Sequence, residues 1–231
     1  MATSGQQTRG ISNFQRMVGK VRDVHRGGFP GSLALNPTYW KERLDPLHRP
    51  TTQLNPLWYV FLRDPNRGPD FFAWLARREA GEVRGVRYLE LEDRATYRIT
   101  FSNADGGVRV NFHPSLLGLS QDEKEVIFVL DRAGNFYVGQ KEVGRFHHSS
   151  FLAGAPVLAA GSMRLTNGRI GEVNNHSGHY HPGISHLTHV ARAMQTQGVN
   201  VQNVNIVMYG PGNRELSRNT AAQLLGIAAP A

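Results

Sequence analysis

The stretch Glu125-Val-Ile-Phe-Val-Leu-Asp131, then Arg132-Ala-Gly-Asn135, then Phe136-Tyr-Val-Gly139, decides the fold class. Two runs rich in β-branched and aromatic residues flank a short turn containing glycine, which is the pattern of a β-hairpin. Upstream, Tyr97, Ile99 and Phe101 alternate with Arg98 and Thr100, Asp105-Gly106-Gly107 supplies a turn, and Val108, Val110 and Phe112 alternate on the way back. Downstream, Ser162-Met-Arg-Leu-Thr166 and Arg169-Ile-Gly-Glu-Val173 flank Asn167-Gly168, whose residue types suit a tight hairpin turn. Three hairpins in series predict a mostly antiparallel sheet.

Helical signals surround these strands. Asp70 caps Phe71-Phe72-Ala73-Trp74-Leu75-Ala76, whose apolar residues share one face and read as core. Ser185 is expected to cap a helix through Gln197, with Leu187, Val190, Ala191 and Met194 on one face and Gly198 as its stop. Val204 to Tyr209 reads as a last strand, and the Ala-rich tail after Gly210 as a terminal helix or a frayed end. The fold class expected is therefore α+β, a mostly antiparallel sheet with a few helices.

Residues 1–50 lack such periodicity. Gly27-Gly28, Pro30-Gly31 and Asn36-Pro37 break them into an arm that is partly helical or loose, with one helical piece expected over Asn13 to Val21. Residues 51–231 show no repeat and no linker, and are expected to form a single domain.

With 40% hydrophobic residues, the 231-residue chain can build a packed core. Its 26 Lys and Arg against 18 Asp and Glu give a net charge of +8 and favour an anionic partner. The arginines are spread along the whole length and are not interleaved with aromatic residues, which argues against nucleic acid. Cysteine is absent, so disulfides, cysteine-ligated metal centres and a cysteine nucleophile are excluded. No window approaches the roughly 20 apolar residues of a membrane span, and no partner membrane is expected. The chain is expected to be a monomer.

Chemistry concentrates late in the chain. Seven of the 10 histidines, His147, His148, His176, His179, His181, His186 and His189, fall within 43 positions. His179 with His181, or His186 with His189, has ligand-like spacing, but no acidic residue lies between Val173 and Arg214 and there is no His-Glu-x-x-His, so no metal is expected. Ser149 and Ser150 follow His148 directly, but there is no Gly-x-Ser-x-Gly elbow, which argues against a serine hydrolase. Gly178, beside Ser177 and followed by His179 and Tyr180, lets backbone approach a ligand while aromatic rings are offered to it. A pocket is expected between a strand end at His148-Ser-Ser150 and a loop at Ser177-Gly-His-Tyr180.

These residues carry a resemblance. Asp64 to Trp74-Leu75, Arg94-x-x-Tyr97, Ile127-Phe-Val-Leu, Tyr137-Val-Gly, Phe146-x-His148-Ser-Ser-Phe-Leu-Ala-Gly154, Ala159-Ala-Gly161 and Ser177-Gly-His-Tyr-x-Pro182 resemble the core of plant IQ-motif proteins. The same series looks similar to the CteC-like bacterial family that attaches ADP-ribose from NAD to a threonine of ubiquitin. The likeness covers roughly residues 45 to 209. No IQ helix is evident, so the resemblance does not imply calmodulin binding.

Taken from the bacterial side, the resemblance implies an ADP-ribosyltransferase-like fold and an NAD-dependent mono-ADP-ribosyltransferase. It would modify a threonine of ubiquitin, release nicotinamide and block host ubiquitination, as an effector or toxin secreted into the host cytosol or held in the bacterial cytoplasm before delivery. Such a site must fix the ribose and stabilise an oxocarbenium-like transition state. The resemblance implies a catalytic role for Glu172, His179 and Tyr180, with Glu215 as the other candidate carboxylate. It implies NAD binding by Arg94, Tyr137, Arg145, His148, Ser149, Ser150, Ser177 and Gly178, the arginines on the pyrophosphate. Taken from the plant side, it implies a non-catalytic nucleotide- or protein-binding module.

Overall fold

In a computed structural model, residues 28–36, 39, 45, 49, 51–79, 86–104 and 107–228 are described. The helical piece expected at Asn13 to Val21 and the first two residues of the Asp105-Gly106-Gly107 turn lie outside them. Three helices come first, α1 (Thr51–Arg63), α2 (Phe71–Arg78) and α3 (Leu91–Tyr97). Strands β1 (Arg98–Ala104), β2 (Gly107–Asn111), β3 (Glu123–Leu130) and β4 (Phe136–Gly139) follow, with a 3-10 turn at Pro114–Ser120. After them come α4 (His148–Phe151), β5 (Ala159–Thr166), β6 (Arg169–Asn174), α5 (Ile184–Thr196), β7 (Asn205–Tyr209), β8 (Glu215–Thr220) and α6 (Ala221–Leu224).

The strands order as β2-β1-β4-β3-β5-β6-β7-β8, and an additional β2–β6 pairing closes the first six into a barrel. Closure is made where Arg109 pairs with Arg169 and the Val110 N–H donates to the Gly168 carbonyl at 2.9 Å. The far half of β6 pairs in parallel with β7, whose other side carries β8 antiparallel. The α+β, mostly antiparallel architecture expected from the hairpins is thus the one found. Its further likeness to ADP-ribosyltransferases rests on the resemblance alone.

β3 explains why its sequence reads as a continuous apolar run: both of its faces are covered. Val126, Phe128 and Leu130 join the main core with Ile99, Phe101, Val108, Val110, Phe136, Val138 and Met163. The α5 face of Leu187, Val190, Ala191 and Met194 packs into the same cluster. Ile127 and Val129 face the other way, into a second cluster with Tyr137, Phe146, Phe151, Val157, Ala160, Tyr180, Leu33 and Leu35. Residues of the arm therefore help to cover the sheet: the Leu33 N–H donates to Val157 O at 2.7 Å. A third cluster, Leu54, Trp58, Phe61, Phe71, Phe72, Trp74 and Leu75, holds α1 to α2, and Trp74 Nε1 donates to Asp64 at 2.6 Å.

Three elements differ from the sequence expectation. His148-Ser-Ser-Phe is a single helical turn and not a strand end, because Ser150 Oγ accepts the His147 N–H at 3.0 Å and caps the turn. Tyr97 ends α3 instead of opening β1. The stretch after Gly210 holds β8 before its short helix. Among the described residues, no helix is long and apolar enough to cross a membrane.

Candidate functional site

A cleft of about 1140 Å³ opens where β3, β5, α4 and the loop after β6 meet. Its lining includes His147 and His148 on one side, His176 to His179 and His181 on another, and Tyr39, Tyr209 and Asn175. The two segments that the sequence singles out thus stand together, contributed by separate elements.

Gly161 sets the spacing of the floor. A Cβ there would come within 1.9 Å of the Asn174 carbonyl and 2.9 Å of the Phe128 ring, so only glycine lets β5 pass this close to its neighbours. Its carbonyl accepts from His148 Nε2 at 2.9 Å. A carbonyl can only accept, so the proton sits on Nε2 and Nδ1 keeps a lone pair. Burial pushes the His148 imidazole down to about 3, with His179, Lys141 and His147 adding repulsion, so it is neutral near pH 7.

The opposite wall is aromatic. His179 stacks on Tyr39 at 4.0 Å between ring centroids and lies 5.1 Å from His147, nearly parallel to both. Its carbonyl accepts from the Asn36 N–H at 2.6 Å, which fastens the arm to the loop. Gly178 leaves room for Tyr39, whose hydroxyl would lie 3.2 Å from a Cβ at that position. Across the cleft His176 stacks on Tyr209 at 4.5 Å. Asn175 ties the loop to β7, accepting from the Tyr209 N–H and donating to its carbonyl. His181 holds a positive φ of 47° within this loop, a conformation that L residues rarely adopt.

Two polar atoms facing this region lack partners among the described residues: the buried Ser177 Oγ and His176 Nε2. A buried hydroxyl left unpaired costs about 1–3 kcal/mol, which a bound donor or acceptor can return. Apart from its histidines, the cleft has Glu125 and Lys141 as its titratable acidic and basic lining residues.

The other residues singled out in the sequence fall elsewhere. Tyr180 is buried in the second cluster and donates to Ala155 O at 2.9 Å. Tyr137 donates to Asp131 at 3.2 Å in that same cluster, and burial raises its phenol above the ordinary value. Ser149 Oγ is buried, and Ser150 caps α4. Arg94 donates to Leu89 O at 3.3 Å, and Arg145 is half exposed beside Glu142.

Glu172 is 6% exposed and held by four groups: Arg218 at 3.3 Å, Arg164 at 3.6 Å, Asn174 Nδ2 at 3.0 Å and the Tyr209 hydroxyl at 3.2 Å. Glu215 pairs with Arg218 at 2.7 Å, which lowers its pKa. Both carboxylates are thereby committed to joining β5, β6, β7 and β8. His186, considered as a ligand in the sequence, accepts the Gly183 N–H at 3.0 Å and caps α5 in place of Ser185, which lies inside the helix because the helix starts at Ile184. Among the described residues, no three His, Asp or Glu side chains are grouped to hold a metal.

Sequence reasoning missed Tyr39 and Tyr209 as wall residues. Tyr39 lies in the aperiodic arm and Tyr209 at a strand end, so neither carries a local signal.

Residues 93–187 match the family described as IQ motif-containing protein middle domain. IQ domain-containing protein IQM2 of Arabidopsis thaliana is 33% identical over 192 residues, 74% of this chain and 31% of that protein. IQM5 of the same plant is 29% identical over 218 residues, 88% of this chain and 43% of the relative. IQM4 is 30% identical over 178 residues, 72% of this chain and 33% of the relative. The chain spans less than half the length of each of these relatives. No solved structure matches it.

These matches correct the functional expectation. The curated relatives are plant IQ domain-containing proteins, so the NAD-dependent threonine ADP-ribosyltransferase reading is overturned. With it go ubiquitin as partner, blockage of host ubiquitination, and secretion as a bacterial effector or toxin. The side of the resemblance that pointed to plant IQ-motif proteins is the side the comparisons support.

Proposed function

We propose that this chain, whose residues 93–187 match the IQ motif-containing protein middle domain, is a binding module whose cleft holds a nucleotide without turning it over. The observation that carries this reading is the unpaired, buried Ser177 hydroxyl beside the stacked Tyr39–His179 pair. A ring entering the cleft meets aromatic faces, and a ribose hydroxyl meets Ser177 Oγ and the neutral imidazole of His148. NAD, expected as cofactor from the resemblance, is the first ligand to test: its two ring systems and two riboses suit a cleft of this volume and lining, and Lys141 offers a cation to its pyrophosphate.

The absence of turnover in this reading draws on Glu172 and Glu215. Each is paired to arginine and built into the sheet, leaving neither free to follow a developing positive charge. Calorimetric titration of NAD into the intact chain is expected to show one site, weakened at least tenfold by His179→Ala, which removes the stacking wall. Heat indistinguishable from dilution, or equal affinity in the His179→Ala protein, overturns the assignment.

A further inference from the structure

A second concavity, of about 620 Å³, lies between the start of β1, the Asp131–Asn135 turn and the C-terminal half of α5, and it shares no lining residue with the histidine cleft. Arg98, Arg132 and Arg192 line it together with His189, and no acidic residue does. None of the three arginines has an ion-pair partner among the described residues. We propose that this concavity is a binding site for a small, multiply phosphorylated molecule.

The frame around it is fixed. Asp131, which opens the turn beside it, accepts from the Ala133 N–H, both nitrogens of Asn135 and the Tyr137 hydroxyl, so its carboxylate is engaged by the turn. That turn presents Arg132, whose guanidinium lies 5.2 Å above the Phe29 ring, a contact that orients the cation while leaving its N–H edge available. The far side is tied down where Gln197 Oε1 accepts the Phe101 N–H at 3.1 Å.

Three guanidiniums from three elements line one concavity with no carboxylate among its lining residues, so an anion placed there is attracted by all three. Each offers a planar fork that matches phosphate in two hydrogen bonds. The volume exceeds a single phosphate and suits a small molecule carrying several. His189 is held below its usual pKa by burial and by Arg192, consistent with a field that already disfavours another positive charge.

Two sources supply this chemistry, a soluble inositol polyphosphate and a phosphoinositide headgroup. The test titrates inositol hexakisphosphate, and separately sediments vesicles containing phosphatidylinositol bisphosphate, with the intact chain and with the double variant Arg132→Gln and Arg192→Gln. The control variant, Arg63→Gln with Arg109→Gln, removes the same charge elsewhere. Both Arg132 and Arg192 are exposed, so folding should persist, and each single substitution is measured as well. Binding is expected to weaken at least tenfold in the double variant, severalfold in each single one, and less than twofold in the control. Binding of the soluble probe, or of vesicles alone, identifies the source. No binding to either probe, or equal losses in the double variant and the control, overturns the site.

Discussion

Ser177 is 7% exposed and its hydroxyl is unpaired, so it adds desolvation cost without a hydrogen bond in the free protein. Ser177→Ala should therefore leave stability in urea unchanged or raise it by up to about 1 kcal/mol, while weakening NAD severalfold. A loss of stability would mean that the hydroxyl serves the fold and not a ligand. His148 gives a pH signature. Its imidazole takes a proton near 6.5 when unfolded but only near about 3 when folded, so the unfolded chain binds more protons between those values. The stability it contributes is complete above about pH 6.5 and falls, by a few kcal/mol, as pH drops toward 3. His148→Gln, which can keep an N–H on the Gly161 carbonyl, should flatten that part of the stability profile relative to the parent chain. A parallel profile would contradict the buried neutral imidazole. At this scale the sequence identified the residues better than their roles: His148, Ser177, Gly178 and His179 reach the cleft, whereas Tyr180, Ser149 and Ser150 turn inward, because residue type does not say which way a side chain points.

Elements were legible where a single period ran through them. The apolar face of α5 falls on Leu187, Val190, Ala191 and Met194, as helical spacing requires, and Asn167 and Gly168 both hold positive φ in the β5–β6 turn. Elements without such a period were lost. Glu215–Thr220 is mostly polar because β8 is an outer strand, and none of the seven residues of α3 is fully buried. The turn at His148 reads as a strand end in the sequence because its cap, the Ser150 hydroxyl on the His147 N–H, is a contact three residues long and invisible as periodicity. Gly161 shows how tightly β5 is drawn against β6. Gly161→Ala should cost about 3 kcal/mol or leave the chain unfolded, read by thermal melting, since the new methyl meets backbone and not a flexible side-chain tip. A melting temperature within a degree or two of the parent would contradict the close approach.

For the whole molecule, the sequence points to a mostly antiparallel sheet but not to its closure. The β2–β6 pairing joins residues 60 positions apart (169 minus 109), and the parallel β6–β7 pairing spans α5; both depend on tertiary packing that local pattern does not encode. Barrel closure matters for function because it fixes β3 and β5, which place Glu125, Ile127 and Ser162 in the cleft lining, while the arm brings Tyr39 to it from far upstream. The same distance explains the functional correction. Clustered histidines, serines and glycines were compatible with transfer chemistry, but the carboxylate this requires is bound between Arg164 and Arg218, and the relatives are plant IQ domain-containing proteins. The most direct test is a titration of the intact chain with NAD, followed by chromatographic recovery of the ligand after prolonged incubation. One saturable site with NAD recovered unchanged is the predicted result; no saturable binding, or the appearance of free nicotinamide, would contradict it.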